Sequence, residues 1–168
     1  MLKKNRKNGN LYLWIGLIMM GILFYSSSQT YEQQSQIGLL SKMLKNEPLK
    51  AWFTNVSFMY GGSEVSLEAK GYFSFVEFFI RKLAHFSTYF ILGGSFFLGL
   101  FPKVNSLIVA AFFGWLAATG YAGIDEFHQM MTSGRTPLFQ DVMLDSAGAL
   151  TAVLLCWMLL GIKRKRWL

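Results

Sequence analysis

Residues 83–101, LAHFSTYFILGGSFFLGLF, decide the fold. This stretch contains no lysine, arginine, aspartate or glutamate, and apolar residues occupy every face of a helix drawn through it. A helix of about 20 apolar residues crosses roughly 30 Å of hydrocarbon, whereas a soluble helix keeps a polar face. Working outward, three more runs have the same character. They are Leu11 to Tyr25, which continues into Ser26, Ser27 and Ser28, then Val104 to Ile124, and Val142 to Ile162. The composition agrees, at 53% hydrophobic over 168 residues with a mean hydropathy of +0.35. The expectation is an all-α membrane protein forming one membrane domain over 1–168. Its four transmembrane helices fall at about 11–28, 83–101, 104–124 and 142–162, with a mixed extracellular segment at about 30–80 between the first and second.

The net charge of +7 does not point to nucleic acid. Half of the sixteen basic residues lie in two tails, Lys3, Lys4, Arg6 and Lys7, then Lys163, Arg164, Lys165 and Arg166. Nucleic-acid surfaces spread their basic residues among aromatics. Basic ends flanking apolar spans instead follow the positive-inside rule. Both termini are therefore expected in the cytoplasm, and the segments at 30–80 and 127–140 outside. The basic start and first apolar run also describe a signal peptide, but Ser26-Ser27-Ser28 substitutes poorly for a small-x-small cleavage site. The single cysteine, Cys156, reads as a small packing residue.

Between the first two spans, Gln36 to Lys45 has the pattern of a short surface helix. Val56–Tyr60 and Ser63–Leu67 around Gly61-Gly62 read as a hairpin that must lean on the bundle or the headgroups. From Tyr72 a helical, aromatic pattern runs to Phe101, about 45 Å at 1.5 Å per residue. Its first half is expected to project outward with Glu77 and Arg81 paired at i, i+4.

The polar residues concentrate at one level. Arg81, Lys82, His85 and Tyr89 occupy the outer turns of the second span, and Asp125, Glu126 and Gln129 the outer end of the third. Arg135 follows in the loop, then Asp141 and Asp145 open the fourth span. Arg81, His85 and Tyr89 share one helical face. Ala110, Gly114, Ala118, Ala122 and Glu126 repeat every four residues, and Asp141, Asp145, Gly148 and Ala152 nearly do. Small residues at this spacing let membrane helices approach closely, so the carboxylates that extend these faces should point into the bundle. Ionisable groups buried there need partners and mark functional sites. The same residues also read as an ion-pair network that locks three helices.

Three ordered motifs carry a resemblance: R-K-x-x-H-x-x-x-Y at Arg81 to Tyr89, D-E-x-x-Q at Asp125 to Gln129, and G-R-x(5)-D-x(3)-D-x-x-G from Gly134 to Gly148. With the serine-rich end of span one and Gln29, they resemble the VanZ-like family. The likeness covers spans two to four and hardly touches 30–70. Thr88 stands where many relatives carry an acid before the tyrosine. The resemblance implies a bacterial cell-membrane protein, some relatives of which are linked to resistance against teicoplanin-type glycopeptide antibiotics. It implies no settled activity.

Several functions fit these residues. In the first, Arg81, Lys82 and Arg135 grip a phosphate or carboxylate of an anionic lipid headgroup or lipid-linked cell-wall precursor. Asp125, Glu126, Asp141 and Asp145 orient those cations, and Tyr89 and Gln129 add neutral hydrogen bonds. In the second, His85, Glu126 and Asp141 perform acid–base catalysis on a lipid-linked phosphate or ester, although the chain has no nucleophile motif or phosphate-binding glycine loop. A metal site from His85, His128, Asp125, Glu126 and Asp141 lacks any H-x(3)-H pair, and His128 reads as a loop residue facing headgroups. Transport fits poorly with a site at one face. No metal or cofactor is implied, and the sequence is silent on oligomeric state.

Overall fold

The computed structural model describes the backbone of residues 2–133 and 137–165, with side chains over 9–132 and 137–162. The chain forms α1 (Leu2–Ser27), α2 (Tyr31–Gln34), α3 (Ile37–Met43), α4 (Lys50–Phe53), β1 (Ser57–Tyr60), β2 (Ser63–Ser66), α5 (Leu67–Lys70), α6 (Tyr72–Val104), α7 (Leu107–Ser133) and α8 (Phe139–Lys165). Helices α1, α6, α7 and α8 are each long and apolar enough to cross a membrane, over Gly9–Ser27, Tyr72–Val104, Leu107–Thr132 and Phe139–Ile162. Their outward faces are greasy. Trp14, Ile18 and Ile22 on α1, Ile108 and Phe112 on α7, and Met158 and Leu159 on α8 are all more than half exposed. Water would not tolerate such a belt, and lipid requires it. The protein is a multi-pass membrane protein with four transmembrane helices.

Helix α6 is the centre of the bundle, packing along α1, α7 and α8, while α7 also touches α1 and α8. Glycine sets the closest approach. A Cβ on Gly93 would lie 2.7 Å from the Ala149 backbone, and one on Gly148 would lie 2.5 Å from the Phe86 carbonyl oxygen. The backbones of α6 and α8 therefore touch, in the manner of small-residue membrane interfaces. These two helices run in the same direction, so Lys82 meets Asp141, His85 meets Asp145, and Gly94 lies against Ala152. At the other end of the bundle Lys103 Nζ donates to Asn10 Oδ1, and Gly9 abuts Gly99 and Pro102. The start of α1 is thus tied to the α6–α7 turn, where Asn105 takes a left-handed conformation and donates to the Phe101 carbonyl.

Residues 28–71 cap the opposite end. Thr30 opens α2 with a reciprocal capping box to Gln33. The hairpin pairs Phe58 with Val65 and Tyr60 with Ser63, and its two-residue turn places both Gly61 and Gly62 at positive φ, as the tightest hairpin turns demand. Phe58 packs against Phe78 and Phe79, and Tyr60 against Phe78, so the hairpin rests on α6.

Two sequence expectations fail here. The first turns of α6 are covered, with Phe75 and Glu77 buried beneath the preceding segment. Glu77 does not pair with Arg81. Its buried carboxylate accepts from the Tyr31 hydroxyl and the Gln36 backbone N–H, which supply the partners that a buried charge needs. Helix α7 also continues past Ile124 to Ser133, so Asp125, Glu126 and Gln129 stand on helix and the loop to α8 is shorter than expected. Arg135 lies outside the described residues.

Replacing Gly93 with valine should lower stability by about 1–3 kcal/mol, the usual cost of overpacking. Gly21→Val should be neutral, since nothing lies within 4 Å of a Cβ there. Thermal unfolding of both purified variants in detergent checks this.

Candidate functional site

Polar groups from four helices and the cap meet where α1 ends, α7 ends and α8 begins. Helical phase explains which groups turn inward. On α7 the buried face runs Ala110, Ala118, Ala122 and then Asp125 and Gln129, the last two 4% and 6% exposed. Four-residue steps drift from the 3.6-residue turn, so Glu126 slips to the flank and Asp125 inherits the packing face. On α8 the inward group is Asp145, also 4% exposed, while Asp141 is half-buried at the helix start. On α6, Arg81, Lys82 and His85 are half-buried and Tyr89 is fully buried.

Two clefts share this end. The first, about 340 Å³, lies between α1, α6 and α7 and is walled by Ile22 and Ile80 on its apolar side and by Ser26, Gln34, His85 and Asp125 on its polar side. The second, about 420 Å³, lies under the hairpin and is lined by Tyr60, Lys82, Glu126 and Asp141. Arg81 and Gln129 line both and so form the wall between them.

The second cleft is well satisfied. Lys82 Nζ sits 2.5 Å from Asp141 Oδ1 and 4.6 Å from the centre of the Tyr60 ring. The Tyr60 hydroxyl donates to the same Asp141 oxygen. Burial, and then the hydrogen bond to Asp141, push the Tyr60 phenol up from its ordinary value, so it stays protonated and donating. Glu126 Oε1 accepts the Leu138 backbone N–H at 2.7 Å, holding the start of α8 against α7.

The first cleft is not satisfied. Arg81 stacks over the Tyr31 ring at 4.8 Å and donates through Nη2 to Gln34 Oε1 at 3.2 Å. Among the described residues, no carboxylate oxygen comes within 4.0 Å of it. Asp125 receives a bond from Gln129 Nε2 at 3.1 Å through one oxygen only. His85 Nδ1 stands 3.5 Å from Asp145 Oδ2, beyond good hydrogen-bond geometry. Among the described residues, five buried side-chain atoms lack a hydrogen-bond partner: Arg81 Nη1, His85 Nδ1, Tyr89 Oη, Asp125 Oδ1 and Asp145 Oδ1. Native proteins carry few such groups, and here they converge on one site.

Nine of the ten residues singled out in the sequence thus gather at one end, and the tenth, Arg135, is not described. The grouping with His128 does not form. The His128 ring stacks on Phe24 at 4.3 Å and bonds the Ser27 hydroxyl at 2.9 Å, which fastens α7 to α1 rather than facing headgroups. Among the described residues, no three His, Cys, Asp or Glu side chains are grouped to hold a metal ion. Tyr31, Gln34, Tyr60 and Ser27 were not anticipated. The capping box at Thr30 and the tyrosine preceding Gly61-Gly62 were the available signals, and neither says which helix is touched.

Tyr60→Phe should leave the bundle folded but loosen the hairpin. Amides of residues 57–66 should exchange at least several-fold faster, as a locally weakened unit opens more often. Hydrogen–deuterium exchange of the two proteins in the same detergent reads this directly.

Compared with known proteins, the sequence matches the VanZ/LLP1 family over residues 12–160. No curated protein and no solved structure matches it. The matched region takes in the apolar core of all four transmembrane helices and every described residue of both clefts. The chain belongs to the VanZ/LLP1 family.

Proposed function

We propose that this protein is a bacterial cell-membrane protein that binds an anionic lipid headgroup or lipid-linked cell-wall precursor in a site opening to the outer face. The observation that carries the reading is Arg81. A guanidinium inside a membrane bundle is costly unless compensated, and this one has a free donor, lines two clefts and meets no carboxylate among the described residues. Phosphate suits this donor, because its oxygens accept the paired N–H groups of arginine. Lys82 adds charge nearby, while Tyr31 and Gln34 hold the guanidinium in place. The outward direction rests on the basic tails. Lys3 to Lys7 lie in the first turns of α1, ahead of the apolar span that begins at Gly9, and Lys163 to Lys165 in the last turn of α8, at the end of the bundle away from the clefts, and the positive-inside rule keeps such ends in the cytoplasm. Altered display of a headgroup or precursor at the outer surface would lower susceptibility to teicoplanin-type glycopeptides.

The contact between His85 and Asp145 favours a second reading, an acid–base enzyme acting on a lipid-linked phosphate or ester. A carboxylate beside an imidazole orients it for proton transfer. In that reading Glu126 and Asp141 complete the acid–base set with His85.

Native mass spectrometry of the purified protein with phosphatidylglycerol tests the first reading. Arg81→Gln should reduce lipid retention about tenfold, the loss of one charge-assisted contact, and Lys103→Gln should not. Equal retention by wild type and Arg81→Gln counts against it. For the second reading, release of phosphate or fatty acid from a lipid substrate should be lost in His85→Ala and Asp145→Asn. Absence of turnover by wild type across phosphate and ester lipids removes it.

A further inference from the structure

The first cleft presents two opposite charges that do not meet. Arg81 and Asp125 both line it, each has a buried polar atom without a partner, and their charged atoms lie more than 4.0 Å apart. Side chains free to swing together in a low-dielectric site would pair. These are held apart, Arg81 by Tyr31 and Gln34 and Asp125 by Gln129. A ligand carrying only negative charge would satisfy Arg81 and be repelled by Asp125, a residue only 4% exposed. A ligand without charged groups would leave both compensated in part only.

From this we infer that the cleft takes a zwitterionic headgroup, a phosphate joined to a primary ammonium, carried on an acylated lipid. The inference rests on the Arg81 reading above: it keeps the phosphate held by the guanidinium and replaces the net anionic head with a zwitterionic one. The phosphate pairs with the Arg81 guanidinium and the ammonium with the Asp125 carboxylate, both of which line the cleft. A primary ammonium meets this need because it has N–H bonds to give, whereas a quaternary one has none. The acyl part follows from the cleft's other wall. Ile22, Leu23, Ile80 and Ala84 line it, and Ile22 is 54% exposed on the lipid-facing side of α1. Polar floor and apolar side wall meet between α1 and α6, so a lipid enters sideways with its chains still in the bilayer. The 340 Å³ volume is at the lower end of ligand pockets, sized for a small head.

The test compares phosphatidylethanolamine, phosphatidylcholine and phosphatidylglycerol, each in otherwise identical nanodiscs, by the lipid retained on the full chain in native mass spectrometry. Wild type should retain phosphatidylethanolamine about tenfold over the other two, and Asp125→Asn should erase that preference. Soluble phosphoethanolamine at millimolar concentration should not displace the lipid. Wild-type retention of phosphatidylglycerol equal to phosphatidylethanolamine, still dependent on Arg81, overturns the zwitterion and leaves the anion reading intact. Equal retention of phosphatidylcholine overturns the role given to ammonium N–H donors, and displacement by the soluble head overturns the lipid source. Retention that ignores Arg81→Gln fails the earlier reading itself. The wild-type preference needs no variant, so poor folding of Asp125→Asn does not blunt the result.

Discussion

Charge taken out of water between apolar helices has to be compensated within a few ångströms, and the way this chain meets that demand organises its structure. Lys82 and Asp141 compensate one another directly, with the Tyr60 hydroxyl completing the carboxylate's needs. Glu77 is compensated by donors of the cap, the Tyr31 hydroxyl and the Gln36 N–H. Arg81 and Asp125 are compensated in part only. The helices can deliver these groups because α6 and α8 touch backbone to backbone through Gly93 and Gly148. Any wider spacing would put Lys82 and His85 out of reach of Asp141 and Asp145.

The segment between the first two transmembrane helices is part of the site rather than a linker. Gln34 donates to Ser26 Oγ at the end of α1 and receives Arg81 Nη2, so one glutamine couples the cap, α1 and α6. Tyr31 bonds Glu77 and stacks under Arg81. Tyr60 reaches from the hairpin to α8. Isolated two-stranded hairpins are marginal in water, and this one gains its stability from Phe78, Phe79 and Asp141. The site and the cap therefore stabilise one another.

Much of this was legible in the sequence, for identifiable reasons. Length and polarity alone distinguish the four transmembrane helices, and Gly61-Gly62 between alternating residues specifies the hairpin. The level at which charges gather follows from counting along each span. Finer assignments failed where a tertiary contact outweighed a local rule. The spacing of Glu77 and Arg81 suits an i, i+4 pair, but donors of the cap take the buried carboxylate instead. A four-residue repeat leads to Glu126, whereas true helical drift turns Asp125 and Gln129 inward. His128 beside polar residues resembles a loop histidine, yet α7 extends far enough to stack it on Phe24. Nothing in residues 30–36 announces that they hold Arg81, because that contact joins positions 47 apart.

In the proposed site Arg81 and Asp125 stay apart in order to hold a headgroup between them. An experimental structure of the protein in lipid nanodiscs tests it most directly. Headgroup density is expected within hydrogen-bond distance of the Arg81 guanidinium and the Asp125 carboxylate, with acyl density leading out between α1 and α6. A closed cleft in which the Arg81 guanidinium pairs directly with Asp125 or Asp145 would contradict it.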